Sequence, residues 1–119
     1  DKERMLKTIS SAEIERELKA WGAAASELGV WLLLGSGSVG APTGKVFNRS
    51  FLFSPDGKVV ATYDKINLFD VTLSGTEQYR ESDTFEGGHK AIVVEGPMGA
   101  KLGLTICYDV RFAPLYSAL

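Results

Sequence analysis

Residues 31–40, WLLLGSGSVG, run an apolar segment directly into a Gly-rich segment, and the element that comes after them decides the fold. The three glycines match the pattern G-x-G-x-x-G, which in dinucleotide-binding folds lies between a buried strand and a helix whose N-terminus receives the pyrophosphate. The next residues, 41–45 (APTGK), cannot open a helix cleanly, and residues 47–53 are strand-like. Because no helix comes next, we expect the glycines in a loop between two strands, and a nucleotide-binding oxidoreductase is the least favoured interpretation.

The residues before this stretch predict a helix. Ser10 and Glu13 have the spacing of a capping box, and Gly29 is a residue type that ends helices. Between them, apolar residues recur at helical spacing: Ile14, Leu18, Trp21, Ala25 and Leu28. Residues 30–34 are five consecutive apolar residues, typical of a strand buried on both faces in a layered protein. A helix followed by such a strand indicates the α/β class.

Two hairpins are predicted downstream, separated by a long irregular stretch. The turn SPDG at 54–57 favours a hairpin of strands at 47–53 and 58–64. Residues 66–88 predict a long ordered loop of the kind that often carries function. The second predicted hairpin and the helix after it occupy 91–95, 100–106 and 109–119, with Pro114 in the first turn of the helix or at a kink.

Composition excludes several function classes. The chain has 119 residues, about one domain, with 45% hydrophobic residues, 24% charged residues and a net charge of −2. A mildly acidic chain lacks the excess of basic residues that is typical of nucleic-acid-binding proteins. The apolar runs are too short to span a bilayer, and no secretory signal is visible. We therefore expect a cytoplasmic protein without nucleic-acid or membrane partners. One cysteine and one histidine leave no internal disulfide and nearly exclude a zinc site, so we expect no metal.

The single cysteine, Cys107, lies in residues 102–112, LGLTICYDVRF, at the end of an apolar strand and before a helix-like segment. The N-terminus of a helix favours a thiolate, and its backbone N–H groups can hold an oxyanion. Free cysteines are also among the most buried residue types. By its position alone, Cys107 is either a nucleophile or a structural thiol.

Two residues of the preceding region supply the charges that a cysteine nucleophile needs. Lys65, in TYDKINLFD (62–70), enters the long loop, where an ammonium can stabilise the negative charge of a tetrahedral intermediate. Glu81, in YRESD (79–83), lies on the same loop and can orient the lysine or carry protons. On an ordinary surface both residues would simply be solvated.

With these three residues the sequence resembles the nitrilase, or carbon-nitrogen hydrolase, superfamily, in particular its omega-amidase-like and Nit-type amidase branch. YDKINLFDV (63–71) is similar to the lysine motif of the family, YRESDTFEGG (79–88) to its second-glutamate segment, and GLTICYDVRF (103–112) to its nucleophile elbow. The resemblance covers nearly the whole chain.

The resemblance implies both a fold and an activity. The fold would be part of an α-β-β-α sandwich, whose subunits form a homodimer or a higher homo-oligomer. Cys107 would be the nucleophile, Lys65 the oxyanion-stabilising lysine and Glu81 the supporting glutamate. The reaction would hydrolyse a non-peptide carbon–nitrogen bond in a small linear amide, releasing ammonia through a thioester and using no cofactor.

Three departures from the family pattern accompany the resemblance. The first glutamate of the family, its general base, is expected upstream of residue 1, and the C-terminal half of the sandwich is also absent, so residues 1–119 are expected to form a partial domain. Residues 112–114, Phe-Ala-Pro, replace the Phe-Pro-Glu usual in the branch. The activity of the 119 residues alone is therefore left open, and a catalytically silent fragment or interaction module is the alternative.

The remaining polar residues near Cys107 have less certain partners. The backbone N–H of Tyr108 is a second expected oxyanion donor, whereas the tyrosine rings are expected to pack rather than to act as acids. Arg111 suits a substrate carboxylate, and a structural ion pair is equally favoured. Asp109 cannot face Arg111 across two residues of a helix and must find partners elsewhere. His89 is expected on the surface.

Overall fold

The first helix within the described residues, α1 (Ser11–Leu28), agrees with the sequence pattern. The computed structural model describes residues 11–75 and 77–119, so the N-cap predicted at Ser10 lies outside the described residues. α1 ends at Leu28, and the next residue, Gly29, has a φ of 63°, in the left-handed region that favours glycine. Within the described part of the chain, no helix is both long and apolar enough to cross a membrane.

A three-stranded antiparallel sheet follows α1, with its strands side by side in chain order. It consists of β1 (Leu32–Gly40), β2 (Val46–Phe53) and β3 (Val59–Asp64). In the turn between β2 and β3, the Gly57 N–H donates to the Ser54 carbonyl at 2.9 Å. The predicted hairpin and the α/β class are confirmed.

The Gly-rich segment belongs to β1 and is not a loop, so that prediction was wrong. β1 stays paired with β2 as far as Gly40, which lies opposite Val46. A shift in register between Leu34 and Gly37 lets the strand accommodate the glycines. Glycine in a strand often marks such an irregularity rather than the end of the strand. The expected absence of a helix after the glycines holds, because β2 comes next.

Apolar side chains pack on both faces of the sheet. Successive residues of a strand point to opposite faces, so Phe51 and Phe53 share one face while Tyr63, opposite Ser50, lies on the other. The two buried clusters reflect this alternation: Ala25 of α1 with Phe51 and Phe53, and Tyr63 with Leu104 and Ile106. β1 departs from the prediction of burial on both faces, because Leu33 is 55% exposed within the described chain.

The stretch predicted as a long loop contains a second hairpin. β4 (Asp70–Ser74) pairs with β5 (Glu77–Arg80), and a 3₁₀ turn at Glu81–Asp83 follows. All four β5 residues are exposed. The sequence therefore carries no alternation of apolar and polar residues by which this strand could be recognised.

The C-terminal part contains the predicted hairpin in a shorter form. β6 (Val93–Glu95) pairs with β7 (Lys101–Gly103). The predicted helix is divided into a 3₁₀ turn, Cys107–Arg111, and a short helix, α2 (Ala113–Ala118). Pro114 lies in the first turn of α2, one of the two places expected for it.

We predict that Gly57→Ala destabilises the protein more than Gly44→Ala. Both glycines have a positive φ, 79° and 84°, which costs alanine about 1–2 kcal/mol. A Cβ at Gly57 would also collide with the Gly22 backbone of α1, whereas a Cβ at Gly44 meets no atom within 4 Å. Crowding of this kind adds about 1–3 kcal/mol. Urea unfolding measures both variants, and equal losses would contradict this packing of α1 on the β2–β3 turn.

Candidate active site

Lys65 comes directly after β3, and its backbone is held from two sides. Its N–H donates to the Asn48 carbonyl at 2.9 Å, and its carbonyl accepts from the Gly88 N–H at 2.8 Å. Asp64 makes a two-pronged ion pair with Arg49, with Nε–Oδ1 at 2.6 Å and Nη2–Oδ2 at 2.8 Å. The hydrogen bond from Asp64 raises the pKa of the Arg49 guanidinium. The chain that carries Lys65 is thereby fixed to β2.

The Lys65 ammonium forms a buried ion pair with Glu81. Nζ lies 3.0 Å from Oε1 and 2.7 Å from Oε2, and the two residues are 2% and 8% exposed. Glu81 Oε2 also accepts from the Phe69 N–H at 2.6 Å. Burying two charges costs free energy that is recovered only when geometry is good and further hydrogen bonds are made, as they are here. The structure thus brings together two of the three residues expected to carry the chemistry.

This arrangement leaves the Lys65 ammonium with at least one donor to use. An ammonium carries three N–H bonds, and both hydrogen-bond contacts of Nζ are with one carboxylate, that of Glu81. Nζ has no other hydrogen-bond partner among the described residues. A positive charge that is oriented and carries a spare donor is what an oxyanion requires.

The β4–β5 hairpin returns the chain so that Glu81 faces Lys65. The Glu81 N–H donates to the Phe69 carbonyl at 3.2 Å, so the two ends of the hairpin are joined. Asp70 accepts from Ser82 N–H at 3.0 Å and from Ser82 Oγ at 2.6 Å. These hydrogen bonds hold the pKa of Asp70 below its usual value.

Cys107 is exposed and is the first residue of the 3₁₀ turn, where the chain bends after the extended residue Ile106. Its φ of 50° is in the left-handed region, whereas Ile106 is extended. The expectation that an α-helix begins beside Cys107 was wrong, because α2 starts only at Ala113. No hydrogen bond joins the thiol to Lys65 or Glu81 among the described residues.

Asp109 links residues 106–109, the cysteine bend, to residues 65–67, the lysine segment. The sequence did not reveal its partners. Asp109 is 0% exposed. Oδ2 accepts from Tyr63 Oη at 2.7 Å and from the Ile106 N–H at 3.0 Å. Oδ1 accepts from the N–H and the side-chain Nδ2 of Asn67, at 2.9 Å and 2.8 Å. One carboxylate therefore joins the residue before Cys107 to the second residue after Lys65.

One part of this network had a sequence signal. An acidic residue three positions after the start of a helical turn commonly bonds back to the N–H at that start, and Ile106 and Asp109 have this spacing. No sequence pattern indicated that Tyr63 or Asn67 would contact Asp109, because they reach it only through the packing of β3 on the C-terminal segment. Burial, followed by the hydrogen bond to Asp109, raises the pKa of the Tyr63 phenol well above its usual range. Tyr63 therefore packs and donates, as expected for a tyrosine that is not an acid.

Tyr108 and Arg111 differ in how far the structure fixes them. The Tyr108 ring packs edge-on against Phe69 and Phe112, with centroids 4.8 Å and 5.3 Å away. Arg111 is exposed and makes no ion pair within residues 11–75 and 77–119, although the sequence left a structural pair open. His89 is exposed, as expected.

The described residues hold no group of three or more His, Cys, Asp and Glu side chains suited to a metal ion.

Residues 5–119 match the protein family described as Carbon-nitrogen hydrolase. The chain is 40% identical over 98 residues to the deaminated glutathione amidase of Yersinia enterocolitica, a match covering 80% of this chain and 34% of that protein. It is 40% identical over 91 residues to omega-amidase NIT2 of Xenopus tropicalis, covering 76% of this chain and 32% of that protein. The chain spans about a third of the length of these curated relatives.

A solved structure shows the same arrangement of elements. The NitFhit protein of C. elegans superimposes with a TM-score of 0.84 at 30% identity, covering 97% of this chain and 28% of that one. The resemblance found in the sequence, and the fold expected from it, are confirmed.

We predict that Glu81→Leu costs about 3–5 kcal/mol of unfolding free energy, because it leaves the Lys65 ammonium buried without its partner. The double variant Lys65→Met/Glu81→Leu should lose less than the two single variants together. As a control, Asp83→Ala removes the exposed Arg80–Asp83 pair, at 4.0 Å, and should cost less than about 1 kcal/mol. Urea unfolding of the four variants gives the coupling energy, and strictly additive losses would contradict a buried pair.

Proposed function

Because the chain belongs to the carbon-nitrogen hydrolase family, we propose that it carries the nucleophile and oxyanion site of an amidase acting on small linear amides. Two relatives are named as amidases, for deaminated glutathione and for omega-amides. Cys107 is assigned as the nucleophile, Lys65 as the oxyanion donor and Glu81 as the residue that orients Lys65.

The observation that carries the proposal is the buried Lys65–Glu81 pair. An exposed lysine would be hydrated and mobile, and its charge would be worth little to a transition state. Here the Glu81 carboxylate fixes the position of the ammonium and leaves at least one of its three donors without a partner among the described residues. A fixed charge in a water-poor site needs no reorganisation when negative charge develops.

The reaction proceeds in two halves. The sulfur of Cys107 bonds to the amide carbon, and the carbonyl oxygen becomes an oxyanion held by Lys65 Nζ and the Tyr108 N–H. The carbon–nitrogen bond then breaks, the nitrogen takes a proton and leaves as ammonia, and a thioester remains. Water attacks the thioester, the carbon–sulfur bond breaks, and the acid and the thiol are regenerated.

Glu81 is not assigned as the base that takes the thiol proton. Its oxygens already accept from the Lys65 ammonium and from the Phe69 N–H. Its negative charge is needed where it is, opposite the buried ammonium. The resemblance gives the role of the base to a different glutamate, the first one of the family pattern.

Arg111 indicates a second chemical feature of the substrate, a free carboxylate. It lies in the same 3₁₀ turn as Cys107, is exposed, and has no ion-pair partner among the described residues. A guanidinium binds a carboxylate through two parallel hydrogen bonds. We therefore propose amides of small dicarboxylic acids, in which the free carboxylate binds Arg111 while the amide meets Cys107.

The test measures ammonia release from succinamate by the product of the complete reading frame that contains these residues. We expect turnover by the wild type and none by Cys107→Ala, while both proteins unfold at the same temperature. Mass spectrometry of the wild type mixed rapidly with substrate should show the mass of a succinyl thioester on the peptide containing Cys107. A wild type without turnover would support the silent-fragment alternative, and turnover by Cys107→Ala would remove the thiol from the mechanism.

Arg111→Gln separates substrate binding from chemistry. Losing a charged hydrogen-bond pair costs about 1.5–3 kcal/mol, so KM for succinamate should rise about ten- to hundredfold with kcat nearly unchanged. Butyramide, which lacks the carboxylate, should be hydrolysed equally by the wild type and by Arg111→Gln. An unchanged KM for succinamate would remove Arg111 from the substrate site.

A further inference from the structure

The Asp109 carboxylate is buried, and every group that touches it donates to it. Tyr63 Oη and the Ile106 N–H share Oδ2, and the two Asn67 donors share Oδ1. No salt bridge to Asp109 occurs among the described residues. An ionised carboxylate only accepts hydrogen bonds, so it satisfies all four donors. The side-chain amide of an asparagine at this position would instead place its own N–H donors against one of the two pairs of donors.

Two of these partner residues, Ile106 and Asn67, belong to the two chain segments on which the proposed reaction depends. The Ile106 N–H immediately precedes Cys107. The Asn67 donors belong to the second residue after Lys65. Tyr63 belongs to neither segment and donates from within β3.

Asp109 also closes the bend around Cys107. The Ile106 N–H donates to its carboxylate at 3.0 Å, and the Asp109 N–H donates back to the Ile106 carbonyl at 3.1 Å. Cys107 lies inside this reciprocal pair with a φ of 50°. A non-glycine residue stays in the left-handed region only where its surroundings over-determine the backbone, and here the pair does so.

We propose that Asp109 is a positioning residue that sets the place of the Cys107 thiol relative to the Lys65 ammonium. It acts on the thiol through Ile106 and on the ammonium segment through Asn67. The proposal rests on the proposed function, because its expected changes in kcat refer to that reaction. It assigns Asp109 no contact with the substrate.

The test compares Asp109→Asn with a core variant, Leu52→Ala, in the complete protein. Leu52 is 2% exposed in β2 and makes no hydrogen bond to the network through its side chain. A misplacement of about 1 Å at an active site can cost about a hundredfold in rate. For Asp109→Asn we therefore expect kcat to fall by about that factor with KM within threefold of wild type. Leu52→Ala should keep kcat within threefold although it lowers the melting temperature.

Tyr63→Phe is the matched control within the network. It removes one donor to Asp109 but leaves the Ile106 and Asn67 bonds, so kcat should stay within tenfold of wild type. The proposal is overturned if Asp109→Asn keeps kcat within threefold, or if Leu52→Ala loses as much.

If Asp109→Asn does not fold, Asn67→Ala replaces it. That variant should lower kcat about tenfold, and a loss below twofold would overturn the proposal.

The rate at which iodoacetamide alkylates Cys107 tests this proposal independently of the proposed function. If the wild type releases no ammonia, the function fails, and the position of the thiol is judged by labelling alone. The rate in Asp109→Asn should shift at least fivefold from the wild-type rate toward that of the urea-unfolded chain, whereas Leu52→Ala should stay within twofold of wild type. A wild-type rate retained by Asp109→Asn would overturn the proposal.

Discussion

The Asp109 carboxylate is the constraint on which the candidate site depends. It is fully buried and receives four hydrogen bonds, two of them from the backbone N–H groups of Ile106 and Asn67. Removing an ionised carboxylate from water costs several kcal/mol unless its oxygens are fully hydrogen-bonded, so the chain segments around it cannot move apart cheaply. The cysteine bend and the lysine segment are thus joined by one anion, while the Lys65–Glu81 pair supplies the complementary fixed cation.

Much of the fold could be predicted because its elements obey simple sequence rules. The apolar spacing of α1 and the SPDG turn between β2 and β3 both gave the observed elements. β5 could not be found because its four residues, Glu77–Arg80, are all exposed and show no apolar alternation. The glycines of β1 were misread because a register shift between Leu34 and Gly37, set by pairing with β2, keeps them in the strand.

The residues of the candidate site could be proposed from the sequence, but the contacts between them could not. Lys65, Glu81 and Cys107 were identified by their surroundings in the sequence and by the family resemblance, and the structure joins the first two directly. The sequence indicated only that Asp109 must have partners and that Tyr63 packs. It did not pair the two residues, because their hydrogen bond spans 46 positions of the chain. A contact of that range depends on how β3 packs against the C-terminal segment, which periodicity and local spacing do not encode.

Amide hydrogen exchange tests the role of Asp109 most directly, because it reports on the two backbone donors separately. In the wild type, the N–H groups of Ile106 and Asn67 should both be protected. In Asp109→Ala both should lose protection together, while the Leu104 N–H, which donates to the Ile92 carbonyl at 3.0 Å, stays protected. Loss of protection at Ile106 with Asn67 unchanged would contradict the claim that one carboxylate holds the cysteine bend and the lysine segment together.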